Sequence, residues 1–255
     1  GHTYAVGAAI AEKFLEARLG STMMQHKIYA YISDGGVQEE ISQGAGRIAG
    51  LFKLNNLIMF YDANEIQLST ECDVVMRENT RMKYESWGWN VLEINGNDPD
   101  EIRAALILAN KEEQRPTLII GHTVMAKGAR KEDGSSYERS VKTHGAPLGG
   151  GAYENTVKNL GGDLNDPFVV FDDVKELYEK RNAVLREVVK ETHAAETEGR
   201  KANPEKAEQM DAWFSGNAPK VDWSELVQKR DVATRVASAN CLGVLAEQVP
   251  NMVCS

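Results

Sequence analysis

The sequence predicts an α/β fold, a doubly wound, mainly parallel sheet flanked by helices, and three observations carry that prediction. Short β-rich runs alternate with stretches of helical spacing through the first half of the chain. The run NLIMFY at 56–61 is apolar on both faces, as strands are when helices cover both sides of a parallel sheet. Two successive runs end in acidic residues, SDGG at 33–36 and DANEI at 62–66, at the strand ends where open sheets bind ligands.

The elements follow in order. The opening GHTYAVGAAIAEKF reads as a helix, with no basic leader of a signal peptide. KIYAYI at 27–32 is a strand, and Glu39–Leu51 has helical spacing through Ile41, Ala45, Ile48 and Ala49. After the strand at 56–61 come a helix near 77–87, a strand at 90–94, a helix at 99–113 opened by DPDE, and a strand at 117–121. Residues 127–151 are polar and Gly-rich, too long for a simple connector, and loops of that kind are functional or disordered. Helices are expected near 151–160 and 173–198. A polar stretch at 200–231, holding Pro204 and Pro219, reads as an inter-domain linker, and an amphipathic helix at 232–247 begins something new.

Composition narrows the function. The protein has 255 residues, 42% of them hydrophobic, and a formal net charge of −9. Its Lys and Arg residues are scattered, which argues against a nucleic-acid or anionic-membrane surface as the main partner. No apolar run approaches the ~18 residues of a membrane span. Cys72, Cys241 and Cys254 fit neither a disulfide framework nor a spaced metal site, so the expected compartment is reducing and cytoplasmic. Both ends look cut, and the sequence reads as part of a longer polypeptide.

The two strand ends suggest a chemistry. Asp34 offers a carboxylate, Asn64 an amide carbonyl, and the backbone just after Asn64 can turn a carbonyl inward. Three hard oxygens from neighbouring strand ends suit Mg²⁺ or Ca²⁺. Gly35 and Gly36 allow a phosphate to approach the backbone, and the helix from about Val37 turns its N–H groups toward it. That is a metal-diphosphate site. The bland alternative is a turn followed by a helix N-cap at SDGG, with Asn64 stabilising its own turn.

Longer strings resemble one family. Ser33-Asp34-Gly35 followed at a distance by Asn64 resembles the thiamine diphosphate signature, with serine where the family has its first glycine. SDGGVQEEISQGAGRIAG (33–50), WGWNVLEINGNDPDEI (87–102), THGAPLG (143–149) and ATRVAS (233–238) are similar to transketolase segments. The resemblance covers the whole sequence. It implies a thiamine diphosphate-binding (diphosphate) domain over 1–200 lacking its first part, a linker over 201–231, and the start of a pyrimidine-binding domain over 232–255.

It further implies site residues. Asp34, Asn64 and the Ile66 carbonyl would hold the divalent metal, Mg²⁺ or Ca²⁺, and Gly35 would give an N–H to the cofactor diphosphate. His144 would lie near the cofactor diphosphate and the sugar-phosphate substrate, serving both binding and catalysis. Arg235 would contact the substrate phosphate, and Glu39 would be a catalytic-site carboxylate at the interface of a homodimer. The implied activity is transfer of a two-carbon ketol unit from a ketose phosphate to an aldose phosphate, in the pentose phosphate pathway. Gly44 replaces a second interface glutamate of many members. Plain surface or turn roles also suit several of these residues, Arg235 as a solvated charge and His144 as a cap on the turn at Pro147. Deoxyxylulose-phosphate synthases and decarboxylating E1 components share the chemistry, and THGAPLG speaks against them. The rival from another class is a non-catalytic or split-subunit module needing a separate pyrimidine-domain partner. His26 and His193 read as surface, and His2 and His122 are left without a role.

Overall fold

In the computed structural model, residues 1–254 are described. They divide into two compact units, 1–193 and the residues from 194 on.

In the first unit α1 (His2–Leu19) leads to β1 (Ile28–Ser33), α2 (Asp34–Gln38), α3 (Glu40–Leu51) and β2 (Leu57–Ala63). Then follow α4 (Thr80–Ser86), β3 (Asn90–Asn95), α5 (Pro99–Lys111), β4 (Thr117–His122) and α6 (Gly150–Asn159). The strands form a parallel sheet in the order β1-β2-β4-β3. The expected α/β class is therefore the observed one.

Alternation along β2 explains the layers. Leu57, Met59, Tyr61 and Ala63 point into a core shared with Ala5 and Ala9 of α1, Ala45 and Ala49 of α3, and Tyr84 of α4. Ile58 and Phe60 point the other way, against Ala105 and Ala109 of α5. Both faces of the strand are thus apolar because both are covered.

Local chemistry sets several ends. Asp98 caps α5 by accepting from Asp100 N at 2.9 Å, with Pro99 at the first helical position where its missing N–H costs nothing. Asn79 caps α4 through Met82 N at 2.9 Å, which starts that helix at Thr80 rather than at the expected 77. The α3 helix is pressed so close to the turn before β3 that a Cβ on Gly50 would lie 1.8 Å from the Trp87 carbonyl oxygen. Trp89 seals this contact by donating its indole N–H to Gly46 O at 2.8 Å.

Two expectations are corrected. The helix after SDGG does not begin near Val37. It begins at Asp34, and an extended residue, Glu39 (φ −62°, ψ 130°), separates α2 from α3. Farther on, α7 (Asp172–Ala202) is longer than expected, and the polar stretch read as a linker contains α8 (Pro204–Phe214). Pro204 stands at the first turn of α8, where proline favours a helix instead of breaking it. The last helix is α9 (Thr234–Gln248). None of the described helices is long and apolar enough to cross a membrane.

Candidate metal and diphosphate site

Parallel register brings the two acidic strand ends together. Ile32 pairs with Tyr61 and Ser33 with Asp62, so Asp34 stands beside the residues that leave β2. Asp34 is only 3% exposed, and its carboxylate is held from three directions. The Tyr61 hydroxyl donates to Oδ1 at 2.7 Å. The backbone N–H groups of Asn64 and Glu65 donate to Oδ2 at 3.0 and 3.2 Å. Glu65 itself takes a left-handed backbone (φ 66°), which turns the chain directly after these two N–H groups.

The same turn gathers the other oxygens. Asn64 is buried, and its Oδ1 accepts from Ile66 N at 3.0 Å, one of its two lone pairs. The Ile66 carbonyl accepts no hydrogen bond among the described residues. Asp62 receives Asn64 Nδ2 at 3.4 Å and the Thr123 hydroxyl, which ties the exit of β4 to the exit of β2. Asp34, Asn64 and Ile66 all line one cleft of about 550 Å³ at the carboxyl ends of the strands.

Electrostatics favour a cation-bridged ligand in this cleft. Its walls carry Asp34, Glu65, Glu71, Asp73, Glu78 and Glu93, against Arg81 and Arg139. Arg81 is already paired with Glu85 and Glu93, each at 2.9 Å, which hold its guanidinium pKa up. A bare diphosphate would meet repulsion here, whereas a divalent ion would be attracted and could then recruit one. Burial, and then the hydrogen bond to Asp34, raises the Tyr61 phenol well above its usual range, so it stays a donor. Burial and the neighbouring Asp34 charge push the Cys72 thiol up to about 12. It is thus a neutral thiol in the wall. The donor set and the charge both fit a hard divalent cation carrying a diphosphate.

The two glycines separate. A Cβ on Gly35 would meet nothing within 4 Å, leaving open space beside the first turn of α2. One on Gly36 would come within 3.0 Å of the Ile32 side chain, so Gly36 serves packing on β1 and not ligand approach.

The other predicted residues lie elsewhere. Glu39 is exposed at the break between α2 and α3, outside the Asp34 cleft. His144 follows the turn Val141–Thr143, half-buried, and it does not line that cleft. Its Nδ1 is buried and has no partner among the described residues. Arg235 is exposed in the first turn of α9, in the second unit. His26 and His193 are exposed, as expected. His122 faces Glu93 at 3.8 Å on the cleft rim. His2 is buried against Tyr84, where burial above all pushes its pKa down to about 4.

Sequence reasoning missed Tyr61, Cys72 and Arg139 as lining groups. Tyr61 hid inside an apolar strand, where it reads as core. Only the β1–β2 register shows its hydroxyl meeting Asp34. Arg139, facing Glu65 at 3.7 Å from a left-handed backbone position, lies in a loop without periodicity.

Comparison with known proteins adds an independent line. A family model described as the thiamine diphosphate binding domain of transketolase matches residues 1–219. The protein is 34% identical over 263 residues to the chloroplastic transketolase-1 of Arabidopsis thaliana, an overlap of 99% of its own length and 34% of the relative's. It is 32% identical to the transketolase of Bacillus subtilis, over 99% of its own length and 38% of the relative's. Among solved structures, transketolase from Leishmania mexicana superimposes with a TM-score of 0.86 at 29% identity, over 98% and 37% of the two lengths. The Campylobacter jejuni transketolase gives 0.71 at 32% identity, over 98% and 38%. The sequence therefore spans little more than a third of the length of these relatives.

Proposed function

Since the chain belongs to the transketolase thiamine diphosphate-binding domain family, we propose that it anchors the cofactor's diphosphate through a divalent ion held by Asp34, Asn64 and Ile66. The observation that carries this is the convergence of those three oxygen-bearing residues on one acidic cleft where β1 and β2 end side by side. Asn64 Oδ1 keeps a lone pair and the Ile66 carbonyl is unengaged among the described residues, so the ion would find oxygens beside Asp34 that need no rearrangement. Gly35 would turn its N–H to a phosphate oxygen, in open space beside the start of α2.

When bound, thiamine diphosphate supplies the carbanion chemistry, acting as an electron sink for a two-carbon ketol unit. The protein's part is to hold, orient and exclude water. We assign His144 to a substrate hydroxyl or cofactor phosphate, since its Nδ1 is a buried polar atom with no partner among the described residues. Arg235 would meet the sugar phosphate, for which a guanidinium fork is suited. Glu39, exposed at the helix break, would face a second copy in a homodimer. The activity is then ketol transfer from a ketose phosphate to an aldose phosphate, within the pentose phosphate pathway. A cytoplasmic location is part of the proposal and rests on the cysteine usage alone.

Calorimetry with thiamine diphosphate, with and without Mg²⁺ or Ca²⁺, tests the anchoring. Metal-dependent binding is expected, and metal-independent or absent binding by the full protein would sink it. Formation of sedoheptulose 7-phosphate from xylulose 5-phosphate and ribose 5-phosphate tests the transfer. Cofactor binding without product would leave a non-catalytic module.

A further inference from the structure

Asp34 carries an uneven load. A carboxylate has about four lone-pair sites. On Asp34, two of them, on Oδ2, accept the N–H groups of Asn64 and Glu65, and one, on Oδ1, accepts the Tyr61 hydroxyl. The Cys72 thiol acts on the same carboxylate, so an ion bound by Asp34 meets a group that its neighbours already hold, with the phenol on Oδ1. Tyr61 comes from the interior of β2 and is 5% exposed, packed in the core between α1, α3 and α4. Its hydroxyl is thus a fixed point, whereas the loop after β2 and the short α2 are local turns.

We propose that Tyr61 is the positioning residue of the metal site, its hydroxyl fixing the orientation in which the Asp34 carboxylate faces the cleft. This rests on the metal-anchoring reading of the cleft. A buried partner that orients a metal ligand typically contributes 10- to 100-fold to metal affinity. The two candidate ions should feel its loss unequally, because Mg²⁺ demands near-ideal octahedral geometry and Ca²⁺ tolerates irregular, flexible coordination. A hydroxyl that only satisfied itself in the core would affect both ions alike.

The experiment is a Mg²⁺ and a Ca²⁺ titration of thiamine diphosphate binding in the full protein, read by calorimetry or cofactor-induced tryptophan quenching. Tyr61→Phe is expected to raise the Mg²⁺ concentration for half-saturation about tenfold and that for Ca²⁺ less than threefold. Tyr84→Phe, which deletes a buried hydroxyl with no partner among the described residues, is expected to change neither. Equal losses for the two ions, or no loss in Tyr61→Phe, overturn the proposal. Fluorotyrosine at position 61 keeps the donor and is expected to restore Mg²⁺ binding to within about twofold of wild type. Its ¹⁹F resonance should move when Mg²⁺ and cofactor are added. An unmoved resonance overturns the proposal whether or not the Phe variant folds. A wild-type protein that binds the cofactor without metal removes the anchoring reading itself, a result distinct from failure at Tyr61.

Discussion

The floor of the cleft and the loop that carries His144 are built on opposite terms. On the floor, Asp34, Tyr61 and Asn64 are nearly sealed from solvent, and three donors from β2 and its exit converge on one carboxylate. In the loop, Asp133, Ser135, Ser136, Glu138 and Ser140 are tied mostly to residues two positions away and lie largely exposed. The floor is over-determined by the fold, so it can hold charge in a fixed place before any ligand arrives. The loop's first part is tied to α6, where Thr156 accepts from Arg130 N and Asn159 donates to Gly128 O. The stretch from Asp133 to Glu138 rests mostly on its own turns and is the part left open to whatever it meets.

The sharpest way to break this contrast is Asp34→Ala. Removing the carboxylate leaves the Tyr61 hydroxyl and two backbone N–H groups facing an empty space. Unsatisfied buried donors cost about 1–3 kcal/mol each, so a loss of roughly 3 kcal/mol or more in unfolding free energy is expected, along with loss of metal-dependent cofactor binding. Urea melts of the full protein measure the first. A stability change under about 1 kcal/mol would show that the floor is not over-determined.

His2 extends the argument beneath the floor. Its folded pKa, about 4, is depressed below the ordinary 6.5. Above pH 6.5 both states hold the ring neutral, and stability is complete. As pH falls toward 4 the unfolded state takes up the proton and the folded one does not, so stability is lost at up to about 1.4 kcal/mol per pH unit. Over that window the sum reaches about 3 kcal/mol. His2→Leu should remove this slope while leaving the response below pH 4 to the carboxylates. An unchanged slope in that variant would place the sensitivity elsewhere.

Next in size is Gly50→Ala. The added Cβ would sit 1.8 Å from the Trp87 carbonyl oxygen and 2.8 Å from its carbon, and backbone atoms cannot swing away as a flexible side group does. A destabilisation of roughly 2–3 kcal/mol is expected from displacing α3 against the turn before β3. Gly44→Ala, with nothing within 4 Å of its Cβ, is the matched control and should be neutral or slightly stabilising. Thermal melts of the pair separate packing from helix propensity.

These differences also decide what could be read from sequence alone. Burial on both faces made β2 legible as an apolar run, and strand-end placement made Asp34 and Asn64 legible as partners. Tyr61 was not, because a tyrosine in an apolar strand has the same pattern whether its hydroxyl is idle or bonded. Register, a tertiary property, distinguishes the two. The early start of α2 was hidden by Gly35 and Gly36, which read as a turn, while Ser33 adds no side-chain cap to announce a helix. Likewise α8 was hidden by polarity, with a helix-starting Pro204 read as a breaker. His144 was singled out only through its neighbours in THGAPLG, and it does not line the Asp34 cleft.

His144 therefore gives the smallest expected effect on the fold and the most direct test of the contrast. Its backbone N–H bonds Val141 O at 3.1 Å, which any residue would preserve. The imidazole contributes Nδ1, a buried polar atom that none of the described residues satisfies. Deleting it removes packing and an unmet desolvation cost together, so His144→Ala should move the cofactor-free stability by little, within about 0.5 kcal/mol in either direction by thermal melts. With thiamine diphosphate and Mg²⁺ present, the stabilisation conferred by binding should shrink in the variant, because ligand binding raises stability only through affinity for the folded state. A large loss of stability without cofactor would make His144 a structural residue of the loop. An undiminished cofactor-induced shift, with normal binding by calorimetry, would take the histidine out of the cofactor site and leave it the substrate alone.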